Sequence, residues 1–466
     1  MNARGLLHRP FGHSTPIPPA IGTRRDFLVA AAGLGSVVLG GCVSRGPAVA
    51  TRRPPRLLFT SSGKTCVVQV DGTGERVLDV HAPGQVTWQP CGPLPDGRLL
   101  LLSMEARRDG PGRPFDQYYH QTPTHVWAHD LDDGSLVELA TRERIAPFQA
   151  PQLILGNGRI LMQVIPKRPG HIVNMNLDGS DPRDFTRNDE GLPYGFSLSP
   201  DGRRVAFHLA SPRGYEIWTS DTMGRDRVRV VGQPGHLYFG PQWSPDGRWI
   251  AYQDCHERED PGHDGSDVCV ARADGSGHRV LTTGQSMWFA ATYGPPHRHG
   301  NGSNVVAWTR DGRVLFPRRL PGTRVPWVFQ SNRPDTDHFN RDYQPEAARG
   351  GTQVCAMAPE DGKTQLLGTT DPVAWDFRCT PSPDGRWIAF CRARTGESPA
   401  LWVMRSDGTS PRMVTRGVDG SGADHPAWVM RDEGGDLRSG SGGGAFDRLV
   451  SCLTNGWCFA ARDFRV

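Results

Sequence analysis

Ser199-Pro200-Asp201-Gly202-Arg203 stands directly before Arg204–Ala210, an RVAFHLA run, and this pairing of a tight turn with an apolar strand recurs along the chain. Ser244-Pro245-Asp246-Gly247-Arg248 precedes WIAYQD, and Ser382-Pro383-Asp384-Gly385-Arg386 precedes WIAFCRA. Pro95-Asp96-Gly97-Arg98 precedes LLLLSM, and Arg310-Asp311-Gly312-Arg313 precedes VLFPRR. Gly156-Asn157-Gly158-Arg159 before ILMQV is a degenerate copy. Pro presets φ early in such a turn, and Gly supplies the positive φ that follows. A second phrase alternates with the first: an apolar strand, an Asp-Gly or Asp turn, and another strand. Its turns fall at Asp71-Gly72, Asp133-Gly134, Asp178-Gly179, Asp221, Asp274-Gly275, Asp361-Gly362 and Asp407-Gly408. The first phrase joins two inner strands and the second joins two outer strands. Four short strands per repeat make a propeller blade.

Composition agrees. Gly (57) and Pro (40) make up about a fifth of the 466 residues, a level that suits turns and penalises helix interiors. No apolar run is long enough for a membrane span. Lys64, Lys167 and Lys363 are the only lysines among 53 basic residues, the net charge is +4, and no basic stripe points to nucleic acid. There is no C-x-x-C-H for haem attachment and no G-x-S-x-G nucleophile elbow.

The repeated SPDG-R-x-[IV]-A-[FY] phrase resembles the TolB-type propeller repeats, and the resemblance covers residues 56–466. The seven outer hairpins count out an all-β, seven-bladed β-propeller, or eight blades if the tail forms one of its own. The N-terminal strands (57–61, 65–70) and the inner-type strands around 425–428 and 449–461 are expected to close the ring together. Closure removes free sheet edges.

The first residues read as an address. Arg24-Arg25 precedes an apolar, small-residue stretch from Phe27 to Gly41, the length of a signal h-region. The twin arginine resembles a Tat export signal. Leu39-Gly40-Gly41-Cys42 resembles the bacterial lipobox, which implies cleavage before Cys42 and its lipidation. Val43 in place of Asp implies the outer membrane by that family's sorting habit. The expected organisation is a signal peptide (1–41), a lipidated Cys with a linker (42–55) and a propeller (56–466). The mature chain would be nearly neutral, a monomer outside the cytoplasm that touches the membrane through its lipid anchor only.

In a propeller the turns within the inner and outer strand pairs share one face, and the remaining links share the other. The long insertions 105–124, 254–267, 283–304 and 317–352 all belong to the second class, so they are expected on one rim. Long connections on a rigid scaffold usually carry function. These are rich in reactive groups: Asp254-Cys255-His256-Glu257 through His263-Asp264, His297-Arg298-His299, and Asp335 through Tyr343. Other histidines fall on or beside the rim, at His120, His125, His171, His236 and His425.

Three readings follow. Neutral imidazoles and carboxylates suit a divalent metal, Mn, Zn or Ca, with His256, His263, Asp264, His297 and His299 as candidate ligands. His, Tyr and Arg suit an acid–base site for an acidic sugar. Solvated polar side chains and local ion pairs would explain the same residues without any ligand. The chain also resembles oligogalacturonate lyases, which are TolB-like propellers with a metal in a His-rich channel. That resemblance implies β-elimination, with a base taking the proton beside a carboxylate and metal plus Arg stabilising the enolate. Candidate catalytic groups are His256, His338, Arg341, Tyr343 and Arg378. Cys379-Thr380-Pro381 stands where that family's Gln…His-x-His motif would fall, so no ligand is carried over from it. The reading is thus a binding or scaffold module for an envelope protein or carbohydrate, or a metal-dependent lyase on uronate-containing oligosaccharides.

Cys42 aside, nine cysteines remain, an odd number. Cys255 and Cys269 bracket one insertion and are candidates for a disulfide. Cys379 with Cys391, and Cys452 with Cys458, could be bridges or buried thiols.

Overall fold

In the computed structural model, the described residues are 55–429 and 459–460, apart from 63, 95, 106–122, 144–151, 155–157, 165–170, 188, 192, 194, 212–213, 256–265, 288–299, 302–303, 326, 330–340 and 344. All belong to the second of two units, which divide between Thr51 and Arg52. They build an all-β propeller, with helix limited to the short 3-10 turns Pro345–Ala347 and Val418–Gly420 among them. None of these turns is long and apolar enough to cross a membrane.

The three Ser-Pro-Asp-Gly turns are closed by the same bonds. Ser199 Oγ donates to Asp201 Oδ1 at 2.6 Å and accepts the Arg204 N–H at 2.9 Å, while Arg203 N–H donates to Asp201 Oδ1. Ser244 with Asp246, and Ser382 with Asp384, repeat this pattern. Gly202, Gly247 and Gly385 all sit at φ near +70°, which explains the Gly of the phrase. The turn thus sets the register of the strands on either side.

Five separate four-stranded antiparallel sheets form blades. The second runs Gln85–Pro93, Leu99–Glu105, Pro123–His129, Leu136–Glu143, and the third Gln152–Ile154, Arg159–Val164, His171–Asn176, Arg183–Asp184. The fourth runs Phe196–Leu198, Arg204–Ser211, Gly214–Asp221, Val228–Val231. The fifth runs Tyr238–Trp243, Trp249–Asp254, Asp267–Arg272, Arg279–Val280. An eight-stranded sheet follows. It holds one meander over 307–366 and another over 374–415, joined by a single parallel pair, Thr352 with Trp375. The first sheet comes from both ends of the described chain: Arg56–Ser61, Lys64–Gln69 and Arg76–Val77, with Asp424–Val429 as the innermost strand.

The core lies between sheets, and side-chain alternation explains it. Leu99 and Leu101 pack toward the first sheet, with Leu58 and Val67. Leu100 and Leu102 pack toward the third, with Ile160 and Met162. Both faces of each blade are covered, so the inner strands read as continuous apolar runs rather than alternating ones. Further clusters join the third sheet to the fourth, the fourth to the fifth, the fifth to the 307–366 meander and that meander to the next. The last cluster joins Ala389, Leu401 and Val403 to Leu57, Phe59 and Trp428, and so returns to the first sheet.

Two expectations change. Phe459–Ala460 pairs with Gly300–Asn301 in a two-stranded sheet, so this part of the expected 449–461 strand does not join the closing blade. The insertion read as 317–352 begins later, because Pro317–Arg319 continue a strand paired with Thr352–Val354. It also carries its own hairpin, Trp327–Phe329 against Arg341–Tyr343.

Trp428 is almost fully buried on the closing strand and donates its indole N–H to the Thr380 carbonyl of the neighbouring inner strand at 3.0 Å. Trp308 makes the equivalent bond to Gln242. Trp428→Ala should cost about 3–5 kcal/mol in urea denaturation followed by circular dichroism. A cost below about 1 kcal/mol would mean that this strand does not hold the ring.

Candidate functional site

The strand ends that flank residues 106–122, 255–266, 281–306 and 320–351 lie opposite those joined by the SPDG and DG turns. His256, His263, Asp264, His297, His299 and His338 lie outside the described residues, as do Cys452 and Cys458. Arg341 and Tyr343 stand in register with Phe329 and Trp327 on the hairpin within the 320–351 link. Arg378 is on Ala374–Pro381, the inner strand of the 374–415 meander. Among the described residues no three His, Cys, Asp or Glu side chains are grouped as a metal site.

The expected bridge between Cys255 and Cys269 is not made; both are buried thiols. The reason is strand parity. Tyr252 stands opposite Cys269 and Asp254 opposite Asp267, so Cys255, three residues beyond Tyr252, projects from the other face of the blade. Cys255 packs with Leu237, Phe239 and Val305, whereas Cys269 packs with Ile217, Val230 and Tyr238. Burial pushes the Cys269 thiol well up, so it stays protonated. Cys379 and Cys391 are likewise thiols, packed in different clusters.

The most organised polar group sits where inner strands meet at this end. Arg378 is 3% exposed and has φ of +50°. Counting back four residues from the turn serine, it occupies the position of Gly240 in the fifth sheet, which has φ of +61°. Aligning Trp428 with Trp243 puts His425 at the same position of the closing strand, at φ of +56°. Glycine takes this conformation freely, whereas arginine and histidine pay for it, roughly 1–3 kcal/mol each. The ladder is also irregular there: the register shifts between Phe377 and Thr380, and between the Leu58 and Thr60 partners of the closing strand.

Polar contacts hold both strained residues. The Arg378 N–H donates to Asn304 Oδ1 at 2.9 Å, and its Nη1 is bonded to Asp424 Oδ2. Asp424 Oδ1 accepts the His425 N–H at 2.7 Å and lies 3.5 Å from the Cys391 Sγ. Thr60 Oγ1 donates to the Asp424 carbonyl and lies 3.1 Å from His425 Nδ1. Burial alone would raise the Asp424 carboxyl, but the Arg378 charge overrides it and holds the group well below the usual carboxylate range. Arg378 was legible as a residue of the right type. Asp424, His425 in this role and Asn304 were not, although the glycine position of the inner strand was a signal that could have found both strained residues.

Paired imidazoles and carboxylates also stand at the roots of two insertions. His125 lies 3.1 Å from Glu105 and 2.8 Å from Glu138, beside the 106–122 link. His236 Nδ1 lies 2.6 Å from Asp254 Oδ2, and the Leu237 N–H also reaches Asp254. Asp267, at the other root of the 256–265 stretch, accepts bonds from Thr282 Oγ1 and the Gly284 N–H. These contacts fix where the insertions leave the blades.

No family model matches the chain. Over 220 residues it is 26% identical to an uncharacterized protein of Agrobacterium fabrum, which takes in 43% of this chain and 66% of that one. Over 86 residues it is 33% identical to the Tol-Pal system protein TolB of Syntrophus aciditrophicus, 18% of each chain. The matched stretches thus span less than two thirds of either curated relative. The solved structure of TolB from Acinetobacter baumannii is similar over 80% of this chain and 82% of that one, at 14% identity and a TM-score of 0.40.

Removing one member of a buried ion pair strands the other, so Asp424→Asn should destabilise the protein by about 3–5 kcal/mol, and adding Arg378→Gln should restore most of it. The pH dependence follows from the depressed carboxyl. Its contribution is fully present above the ordinary value of 3.8 and is lost as pH falls below it toward the folded-state value. Denaturation midpoints across the acid range should therefore fall more steeply for the wild type than for the double variant. Parallel curves would show that the pair contributes nothing.

Proposed function

We propose that this chain is a TolB-like propeller of the bacterial cell envelope, exported through Arg24-Arg25 and anchored by lipid on Cys42, that binds a ligand or protein through its insertion-bearing face. The observation that carries this reading is the coincidence of two features at one end of the blades. The long insertions leave there, and there the inner strands hold two strained non-glycine residues around a buried charge pair. Strained residues persist only where surrounding contacts overdetermine them, and they cluster at functional sites. On this reading the two meanders of the eight-stranded sheet are separate blades, which brings the ring to seven, and the protein is a periplasmic or surface-side monomer held at the outer membrane.

A second reading rests on Arg378. A buried guanidinium beside His425 has the chemistry to stabilise an enolate while a base takes the neighbouring proton, as a lyase on uronate-containing oligosaccharides requires. His256, His338, Arg341 and Tyr343 would supply the base and substrate contacts. The metal ligands would be His256, His263, Asp264, His297 and His299. Among the described residues no ligand group is assembled, so no step is derived through a metal.

Changing Cys42 to Ser should move the protein from the membrane fraction to the soluble fraction, and Arg24→Lys with Arg25→Lys should retain it in the cytoplasm. Unchanged fractionation would refute the address. Substituting His256, His338 and Arg341 by Ala should abolish capture of an envelope partner or carbohydrate, and unaltered capture would refute the placement on this face. Elemental analysis of the purified protein separates the readings: stoichiometric Mn, Zn or Ca together with cleavage of uronate oligomers would favour the lyase.

A further inference from the structure

We propose that the channel mouth between the inner strands Ala374–Pro381 and Asp424–Val429 is a carboxylate-binding site, with the Nε–Nη2 edge of Arg378 as its receptor. The inference rests on the proposed binding face and names the chemistry that face takes at its centre.

A guanidinium has two edges that can hold a carboxylate by paired hydrogen bonds, one of them formed by Nε and Nη2. Arg378 uses Nη1 on Asp424 and its backbone N–H on Asn304. Its Nε and Nη2 are buried and have no hydrogen-bond acceptor among the described residues. Leaving a buried charged donor without an acceptor is costly, and native structures rarely tolerate it without a purpose or a missing partner.

The same blade shows what would fill such an edge. Arg392 directs its Nε and Nη2 onto the two oxygens of Asp376, at 2.6 and 2.9 Å. Asp376 lies two residues before Arg378 on the same strand, but both its oxygens are engaged by Arg392. One guanidinium of this blade thus has its fork closed by a carboxylate of the chain. The other leaves an equivalent buried fork without an acceptor among the described residues, on a strained backbone.

Charge narrows the ligand. Asp424 already balances the Arg378 guanidinium, and Asp376 balances Arg392. A phosphate dianion would add two negative charges to a neutral cluster in which His425 is the one other group, among those described here, able to carry positive charge. A carboxylate adds one. It also matches the planar spacing of the Nε–Nη2 fork. Two sources present such a group, an acidic sugar and the C-terminus of a peptide.

The test is calorimetric titration and thermal shift of the full chain with four probes: galacturonate, galactose, N-acetyl-dialanine and its C-terminal amide. Galacturonate or the peptide acid should bind and raise Tm, while the neutral counterpart of whichever binds should not. Binding of galacturonate alone assigns an acidic sugar, and binding of the peptide acid alone assigns a C-terminus. Arg378→Lys keeps the charge but loses the fork and should weaken binding by at least about tenfold. Arg378→Gln with Asp424→Asn removes both charges of the pair and should abolish binding in a protein that remains folded. If neither acid binds, if a neutral counterpart binds equally, or if the double variant binds unchanged, the site is overturned. The comparison of acids with neutral probes uses wild-type protein and does not depend on any variant folding. Failure of both acids while partner capture still requires His256, His338 and Arg341 overturns this site and leaves the binding face standing. Acid binding with capture unaffected by those substitutions does the reverse.

Discussion

The pairing of Asp424–Val429 with Arg56–Ser61 is the contact on which the rest of the structure depends. A propeller blade is covered on both faces only if it has a neighbour on each side. Without the closing strand, Leu57, Phe59, Ala389 and Leu401 would lose the partners that bury them. The strand is short, and its hold comes from what it carries: Trp428 bonded to Thr380 and packed against Leu57, and Asp424 ion-paired with Arg378. One of these contacts is apolar and shape-dependent, the other buried and charged, and both reach across to the preceding blade.

Closure and the candidate site are therefore the same piece of chain. Asp424 and His425 begin the closing strand and also make the buried polar cluster with Arg378. Arg378 and His425 occupy a position that is glycine in the fifth sheet, so the two neighbouring inner strands replace the conformationally free residue with functional groups. The energetic cost is met locally by Asn304, Thr60 and the ion pair itself. This arrangement explains why so polar a cluster can sit where inner strands otherwise present apolar side chains to adjacent blades.

Much of the fold was legible because its grammar is local. Ser199-Pro200-Asp201-Gly202 specifies a turn by bonds among its own residues, and Asp274-Gly275 does the same at the other hairpin, so strand pairs could be read within a few dozen residues. The closing strand was readable too, since His425-Pro426-Ala427-Trp428 parallels Gly240-Pro241-Gln242-Trp243. What could not be read depends on parity or on distance along the chain. The side of the blade to which Cys255 points follows from the register of Asp254 with Asp267, which spacing alone leaves open. Asp424 meets Arg378 across a blade boundary, and nothing in either local sequence names the other. Phe459–Ala460 has the composition of an inner strand, yet it pairs with Gly300–Asn301.

A closed ring requires that the closing strand be held as firmly as the strand it joins. Hydrogen exchange of the intact chain, followed by mass spectrometry, measures this directly in the peptides covering 56–61 and 424–429. The two segments should show the same high protection and lose it together as denaturant is added, because neither strand is covered without the other. Exchange of 424–429 at the rate of an unstructured chain while 56–61 remains protected would contradict both the closed ring and the site built on it.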